Sequence, residues 1–590
     1  MRNYLLCAML LMAAAVQAVP AKRVWRSFQQ VDGTAIELMQ VGDENLHYYK
    51  TRDDVPVVEE DNAFYYARKA GFSIKSTGVL AHEPEKRVAA DHANICSLEE
   101  IESVRPYVLH KGPKRIGEPD HPTYTGKKKG LIILANFSDK KFFDYKEADF
   151  GYATWERYDA LVNEEGYTNE EYGAIGSVHD YYSDMSYNKF NLTFDVVGPV
   201  DLTDSYSHYG LGKDDRYAPD MIIECCNLVD DEVDFNDYDW DGDGVVEEVF
   251  VLYAGYGEAT GGPTNAVWPH MWSLSEAAKY YPNLPEELVL DGATIDIYAC
   301  SNELYGYSGT TQMGLGVICH EFSHCLGLPD LYDTGYGGNF GMGDWDILDN
   351  GSYNGPMGIG WVPAGYSSYE RNYAGWIKFT ELKTPRRIIN QKPLSEHGTS
   401  YIIYNDGNPN EYYLLENRKQ TGWDQYIPGA GLLIVHVDYD PDIWASNDVN
   451  TTGASNDHQR LTIFHASNST RGGHDAYPYN GNDCLTDYST PKSSLYNENT
   501  DGTKLMHKPI TEITRNEETG YISFLFRPDN SALDAIEEAT LDGDGLVDVY
   551  TIDGVKVASQ VSAEQVRHLS MGTYVVRKQD GSSVKVTTKR

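Results

Sequence analysis

The run His320-Glu321-Phe322-Ser323-His324-Cys325-Leu326-Gly327-Leu328-Pro329-Asp330 constrains this chain more than any other segment. Two histidines four residues apart on a helix project from one face, one turn apart, so their imidazoles can grip one metal ion. Glu321 stands beside the first histidine and can reach a water on that metal as a general base. No Gly or Pro interrupts His320 to His324. Gly327 then allows a left-handed helix end, and Pro329 discourages the helix from resuming. The chain can thereby swing Asp330 back as third ligand. Three protein ligands plus a water fit a catalytic zinc rather than a structural one. The competing reading is a buried helix whose histidines hydrogen-bond within a core.

A length of 590 residues exceeds what one core supports and predicts roughly three to five domains. The formal net charge of -41 argues against nucleic acid or an anionic membrane as partner, since phosphate binding needs clustered positive charge. The acid load either keeps an exported protein soluble or, in part, binds calcium. Arg2, the apolar run Leu5 to Val16 and the small-residue site Val16-Gln17-Ala18 read as an export signal over residues 1–18. That predicts a protein secreted or held at a bacterial cell surface. No later run is long enough for a membrane span. Cys96, Cys225, Cys226, Cys300, Cys319, Cys325 and Cys484 remain after cleavage, an odd set too sparse for a disulfide scaffold. Cys319 and Cys325 face different sides of the helix, and are read as core packing or as half of a bridge to Cys300.

The order of segments predicts a multidomain α/β plus β architecture. Residues 19–119 are polar, end in the basic stretch Lys111 to Arg115, and read as a propeptide. Cys96 is either a thiolate that silences the metal or an ordinary thiol. Residues 120–377 carry a buried strand at Gly130 to Phe137, a helix at Ser177 to Lys189, and the metal helix from Met313 to Leu326 with Thr310 or Thr311 as cap. Residues 378–530 alternate in short apolar runs, as in a β-sandwich or barrel. Residues 531–590 form a linker and a small final β unit.

A second metal site is predicted where Asp237, Asp239, Asp241 and Asp243 alternate about Gly242 and lead to Glu248. Acids at positions one, three and five, glycine at six and glutamate at twelve match a calcium loop. A register starting at Asp239 fits nearly as well, and the other reading is an acidic surface turn.

The metal motif, its flanks and this order of segments resemble the immune inhibitor A family of secreted zinc metallopeptidases. The resemblance extends to Trp345 through Tyr353, to Glu416-Asn417-Arg418, to Gly431 through Asp438 and to Trp444 through Asn450. It implies a metzincin-like zinc peptidase domain followed by β-sandwich-like domains, and a turn beneath the metal. Where the family turn carries methionine this chain has Leu348, of similar volume. The implied activity is endopeptidase hydrolysis of protein or peptide substrates. Zinc on His320, His324 and Asp330 activates a water, Glu321 shuttles its proton, and Tyr353 is the candidate tyrosine that assists. The C-terminal unit, with Val549 through Gly554 and Gly572 through Val576, resembles a type IX secretion sorting domain and implies that machinery as a partner. The alternative is a catalytically retired surface-binding protein that works through its β domains.

Overall fold

The computed structural model describes residues 18–43, 46–70, 73–102, 104, 124–143, 154–210, 215–281, 283–470, 475–527, 546–551, 555–562, 566, 572–577 and 583–588. The export signal before Ala18, the stretch Lys111 to Arg115 and the linker around Ser531 to Thr540 lie outside the described residues.

Many strands and few helices make this a mixed α/β chain. At its centre His270–Ser273, Ile297–Leu304, Val249–Tyr256, Gly126–Asn136 and Phe190–Asp201 lie side by side in that order. The last four run parallel, and His270–Ser273 forms an antiparallel edge. The strand expected at Gly130 to Phe137 is thus Gly126–Asn136, inside the sheet. Its apolar text follows from burial on both faces. Ile132 and Leu134 join Phe250 and Leu252 in one core, while Leu131 and Ile133 join Val249 and Val251 in another. Helices Thr154–Asn163, Val178–Met185 and Gly316–Cys325 pack on the first face, and Ala218–Val229 on the second.

Ser177 caps Val178–Met185, its hydroxyl accepting from Asp180 N at 3.1 Å. The metal helix departs from expectation. It starts at Gly316, without a capping side chain, so neither Thr310 nor Thr311 is its cap. Neighbouring carbonyls satisfy the early amides instead: Gly314 N donates to Ile359 O at 2.9 Å and Gly316 N to Gly360 O at 2.8 Å. Only bare backbone fits there, because a Cβ on Gly316 would lie 1.9 Å from Ser352 O.

Ahead of this core, six strands from Trp25–Gln29 to Ile74–Leu80 form an antiparallel sheet in chain order. It docks on the central region through Arg26, which donates to Thr260 O at 2.5 Å and Gly261 O at 3.2 Å. His47 Nε2 lies 2.9 Å from Glu258.

After the core, Thr380–Glu381, Tyr401–Tyr404, Glu411–Arg418, Gly431–Asp438 and Leu461–Ile463 form a five-stranded sheet. Arg386–Gln391, Ile522–Phe526 and Ile510–Arg515 form a three-stranded one. Ile403, Leu415 and Ile434 share a core with Phe524 of the smaller sheet. Leu414, Leu433 and Val435, on the opposite face, join the core that holds the metal helix. Both faces are covered, so Gly431–Asp438 is buried throughout although its pairing is antiparallel. Lys556–Val561, Val547–Thr551, Gly572–Arg577 and Ser583–Thr588 make a final sheet.

The seven cysteines among the described residues carry free thiols, and no bridge joins Cys300 to Cys319 or Cys325. Cys300 Sγ lies 3.5 Å from His270 Nδ1, and Cys325 Sγ donates to Glu321 O. No described helix is long and apolar enough to cross a membrane.

One ion cluster ties the two regions together. Arg418, fully buried, donates to Asp424 Oδ2 at 2.8 Å and Oδ1 at 2.6 Å, to Glu416 Oε1 at 3.1 Å and to Gly365 O at 3.0 Å. Arg418→Met leaves two carboxylates without their cation. Urea denaturation is expected to show a loss of about 3–5 kcal/mol; an unchanged midpoint would mean the cluster relaxes into water.

Candidate active site

Helix Gly316–Cys325 is buried from Gly316 to His324, so its polar side chains must find partners inside. His320 Nδ1 is 2.6 Å from Ile347 O, and His324 Nδ1 is 2.8 Å from Leu328 O. A carbonyl only accepts, so each Nδ1 donates and each Nε2 is left as a lone pair. Burial pushes the His320 imidazole down, which favours the neutral ring.

The two Nε2 atoms lie 3.0 Å apart. Asp330 Oδ1 is 3.3 Å from His320 Nε2 and 3.2 Å from His324 Nε2. All three residues are fully buried, and Asp330 Oδ1 has no hydrogen-bond partner among the described residues. Tetrahedral zinc with nitrogen and oxygen ligands sets neighbouring ligand atoms about 3.3 Å apart. The triangle therefore fits zinc in donor chemistry and in size. Asp330 reaches it because Gly327 takes the left-handed conformation, at φ 91°, as its position in the sequence predicts.

Glu321 sits beside the triangle, fully buried. Its Oε1 accepts from Val19 N at 3.0 Å, while Oε2 has no partner among the described residues. Burial pushes its carboxyl well above the ordinary range, and the bond from Val19 offsets part of that. Beneath the histidines runs the turn Trp345 to Tyr353. Leu348 is fully buried there and its carbonyl accepts from Leu331 N at 2.8 Å. Tyr353 closes the far side, its hydroxyl donating to Pro20 O at 2.9 Å.

Two contributors to this site were not foreseen in the sequence. The first is the segment Ala18 to Lys22, which lies in the cleft. Ala18, Val19 and Ala21 are buried against Trp268, Met313, Val317 and Tyr353. Tyr332 Oη donates to Ala18 O at 2.7 Å and Trp268 Nε1 to Val19 O at 3.0 Å. Small apolar residues around an expected cleavage site carry no signal that they belong in a cleft. Cys96, weighed as the silencing group, instead donates to Ala67 O at 3.1 Å and packs on the core of the N-terminal sheet. The second contributor is Asn447, whose side chain touches Asp330; its stretch was noted only for resemblance.

The acidic loop brings Asp239, Asp241 and Glu247 together, with carboxylate oxygens within 4.8 Å of one another. Asp239 Oδ1 accepts from Gly242 N at 2.7 Å and Oδ2 from Gly244 N at 2.8 Å. Asp237 pairs with Lys129 at 3.4 Å, and Asp243 Oδ1 accepts from Val245 N at 2.9 Å. Glu248 lies apart from this group. The chain bends at Glu247, between Val245–Val246 and Val249–Tyr256; Glu247 returns to the loop, accepting from Trp240 N at 2.5 Å, and Glu248 enters the interior. Trp240, within the loop, packs on Phe322 of the metal helix at 6.3 Å.

Gly327→Ala tests the helix end. It forces an L-residue into the left-handed region and sets a Cβ 2.5 Å from Tyr373 Oη. The thermal midpoint is expected to fall by the equivalent of at least about 1–2 kcal/mol; a stable variant would show that the turn has another conformation.

Residues 121–377 match the family model described as immune inhibitor A peptidase M6, catalytic domain. The pre-pro-metalloprotease PrtV of Vibrio cholerae serotype O1 (strain M66-2) is 26% identical over 295 residues, covering 43% of this chain and 31% of PrtV. Immune inhibitor A of Bacillus thuringiensis subsp. alesti is 23% identical over 295 residues, covering 43% of this chain and 42% of that protein. The chain thus spans well under half the length of these curated relatives. The segment that carries the histidines, Glu321 and Asp330 is similar to the immune inhibitor A peptidase catalytic domain, and these matches support a metallopeptidase domain over it.

Proposed function

We propose that this protein is a secreted, zinc-dependent endopeptidase produced as a latent precursor. One observation carries the reading: two histidine Nε2 atoms and an orphaned Asp330 Oδ1 converge beside a buried glutamate. His320, His324 and Asp330 would hold the zinc, which when bound supplies a Lewis acid and lowers the pKa of water. Glu321 takes the proton from the attacking water and returns it to the departing amine nitrogen. The Tyr353 hydroxyl, which donates to the Pro20 carbonyl, would hold a substrate carbonyl in the same way.

Latency is supported by Val19 to Lys22 filling the cleft and engaging Glu321, and by the printed name of one relative, a pre-pro-metalloprotease. Cleavage after Ala18 would turn Val19 N into a charged amine facing Glu321. Export follows from the expected signal, and the C-terminal sheet is read as the sorting unit for type IX secretion. Protein lacking residues before about Thr123 is expected to bind zinc and hydrolyse casein, while the full chain is silent. Its Glu321→Ala twin keeps zinc but loses about 10²–10⁴-fold in kcat. Zinc binding without cleavage of any protein would favour the surface-binding reading, and no zinc would overturn the site.

Asp239, Asp241 and Glu247 are the proposed calcium ligands, buttressing the metal helix through Trp240. Burial, with Asp241 and Asp239 adding to it, pushes the Glu247 carboxyl up to about 7 from 4.5. A carboxyl with a raised folded pKa holds its proton better when folded. Its contribution is therefore full below 4.5 and is lost as pH rises through about 7. In chelator the thermal midpoint should fall over that window, and calcium should restore it at neutral pH. Asp239→Asn should abolish the restoration, and a calcium-independent midpoint would contradict the site.

A further inference from the structure

Two of the three ligands are oriented by the helix that carries them; Asp330 is not. It lies beyond the helix end in a segment without regular structure, where a carboxylate needs outside support to hold one geometry. That support comes from Asn447, more than a hundred residues later, in the β-rich region after the short helix Pro441–Ala445. Asn447 Oδ1 accepts from Asp330 N at 2.7 Å, and its Nδ2 donates to Asp330 Oδ2 at 2.6 Å. The amide orientation is unambiguous, because a backbone N–H can only donate. Asn447 is 4% exposed and sits at φ 54°, a left-handed conformation that asparagine tolerates better than most residues.

The chemistry of this grip is specific. A side-chain amide offers one donor and one acceptor on a single rigid plane, matching a carboxylate and its own N–H together. With Oδ2 engaged, Oδ1 alone faces the two Nε2 atoms, which sets Asp330 to bind through one oxygen. The loop around Asn447 is itself fastened to the same segment: Thr334 Oγ1 donates to Asn447 O at 3.2 Å, and Asn450 Nδ2 to Leu331 O at 2.7 Å.

We infer that Asn447 is a positioning residue for the third metal ligand, so that the metal centre is completed by the β-rich region. This rests on the zinc reading above. The test is the zinc dissociation constant of the metal-free chain, by chelator competition, for the parent, Asn447→Gly and Asn450→Ala. Glycine keeps the left-handed backbone and removes only the amide; Asn450→Ala loosens the same loop without touching Asp330. The expected result is a loss of about 10–100-fold in zinc affinity for Asn447→Gly. Asn450→Ala should stay near the parent, and both metal-free variants should keep their fold by circular dichroism. Should Asn447→Gly fail to fold, Asn447→Ser, whose hydroxyl cannot span both partners, carries the same expectation. Parent-like affinity in the Asn447 variant, or equal losses in both loop variants, would overturn the inference. A parent that binds no zinc would instead overturn the metal reading itself, and this inference with it.

Discussion

Three buried side-chain atoms held 3.0 to 3.3 Å from one another are the constraint on which the rest depends. Two imidazole lone pairs and a carboxylate oxygen without a hydrogen-bond partner are costly to bury together. A cation at their centre would relieve that cost, and the surrounding structure keeps them aimed at one point. The helix fixes the histidine spacing, Ile347 and Leu328 fix the ring orientations, and Gly327 turns the chain so that Asp330 returns.

Those demands explain why the neighbouring regions cannot stand apart. The turn under the histidines is anchored by Asp346, whose Oδ1 accepts from Leu348 N at 2.9 Å. Burial raises the Asp346 and Glu370 carboxyls, which interact electrostatically beside Arg418 and Glu416. This packed polar layer, and the apolar face of Gly431–Asp438, join the β-rich region to the metal helix through one core. The N-terminal sheet meets the core through polar contacts at Arg26 and His47, through the stacking of His47 on Trp268 and the packing of Tyr336, and through the short segment in the cleft.

Much of the centre was legible because its logic is local. The spacing of His320 and His324, the adjacent Glu321 and the glycine that ends the helix all act within one short run, and periodicity reveals such patterns. The buried strand at Gly130 was legible from its unbroken apolar text. Long-range partners were not. Asn447, Val19 and the carbonyls that replace a helix cap act across distances that spacing does not encode. Thr310 and Thr311 were plausible caps by residue type, but the helix start meets Gly360 and Ser352 instead. Glu248 was chosen by counting loop positions, whereas the bend at Glu247 directs that residue back to the loop.

The central claim is that one zinc ion sits at the meeting point of His320 Nε2, His324 Nε2 and Asp330 Oδ1. Anomalous diffraction at the zinc edge from crystals of the purified protein tests it most directly. The account predicts a single strong peak about 2.0–2.2 Å from each of those three atoms. A peak elsewhere, or none in protein shown to retain its fold, would contradict it.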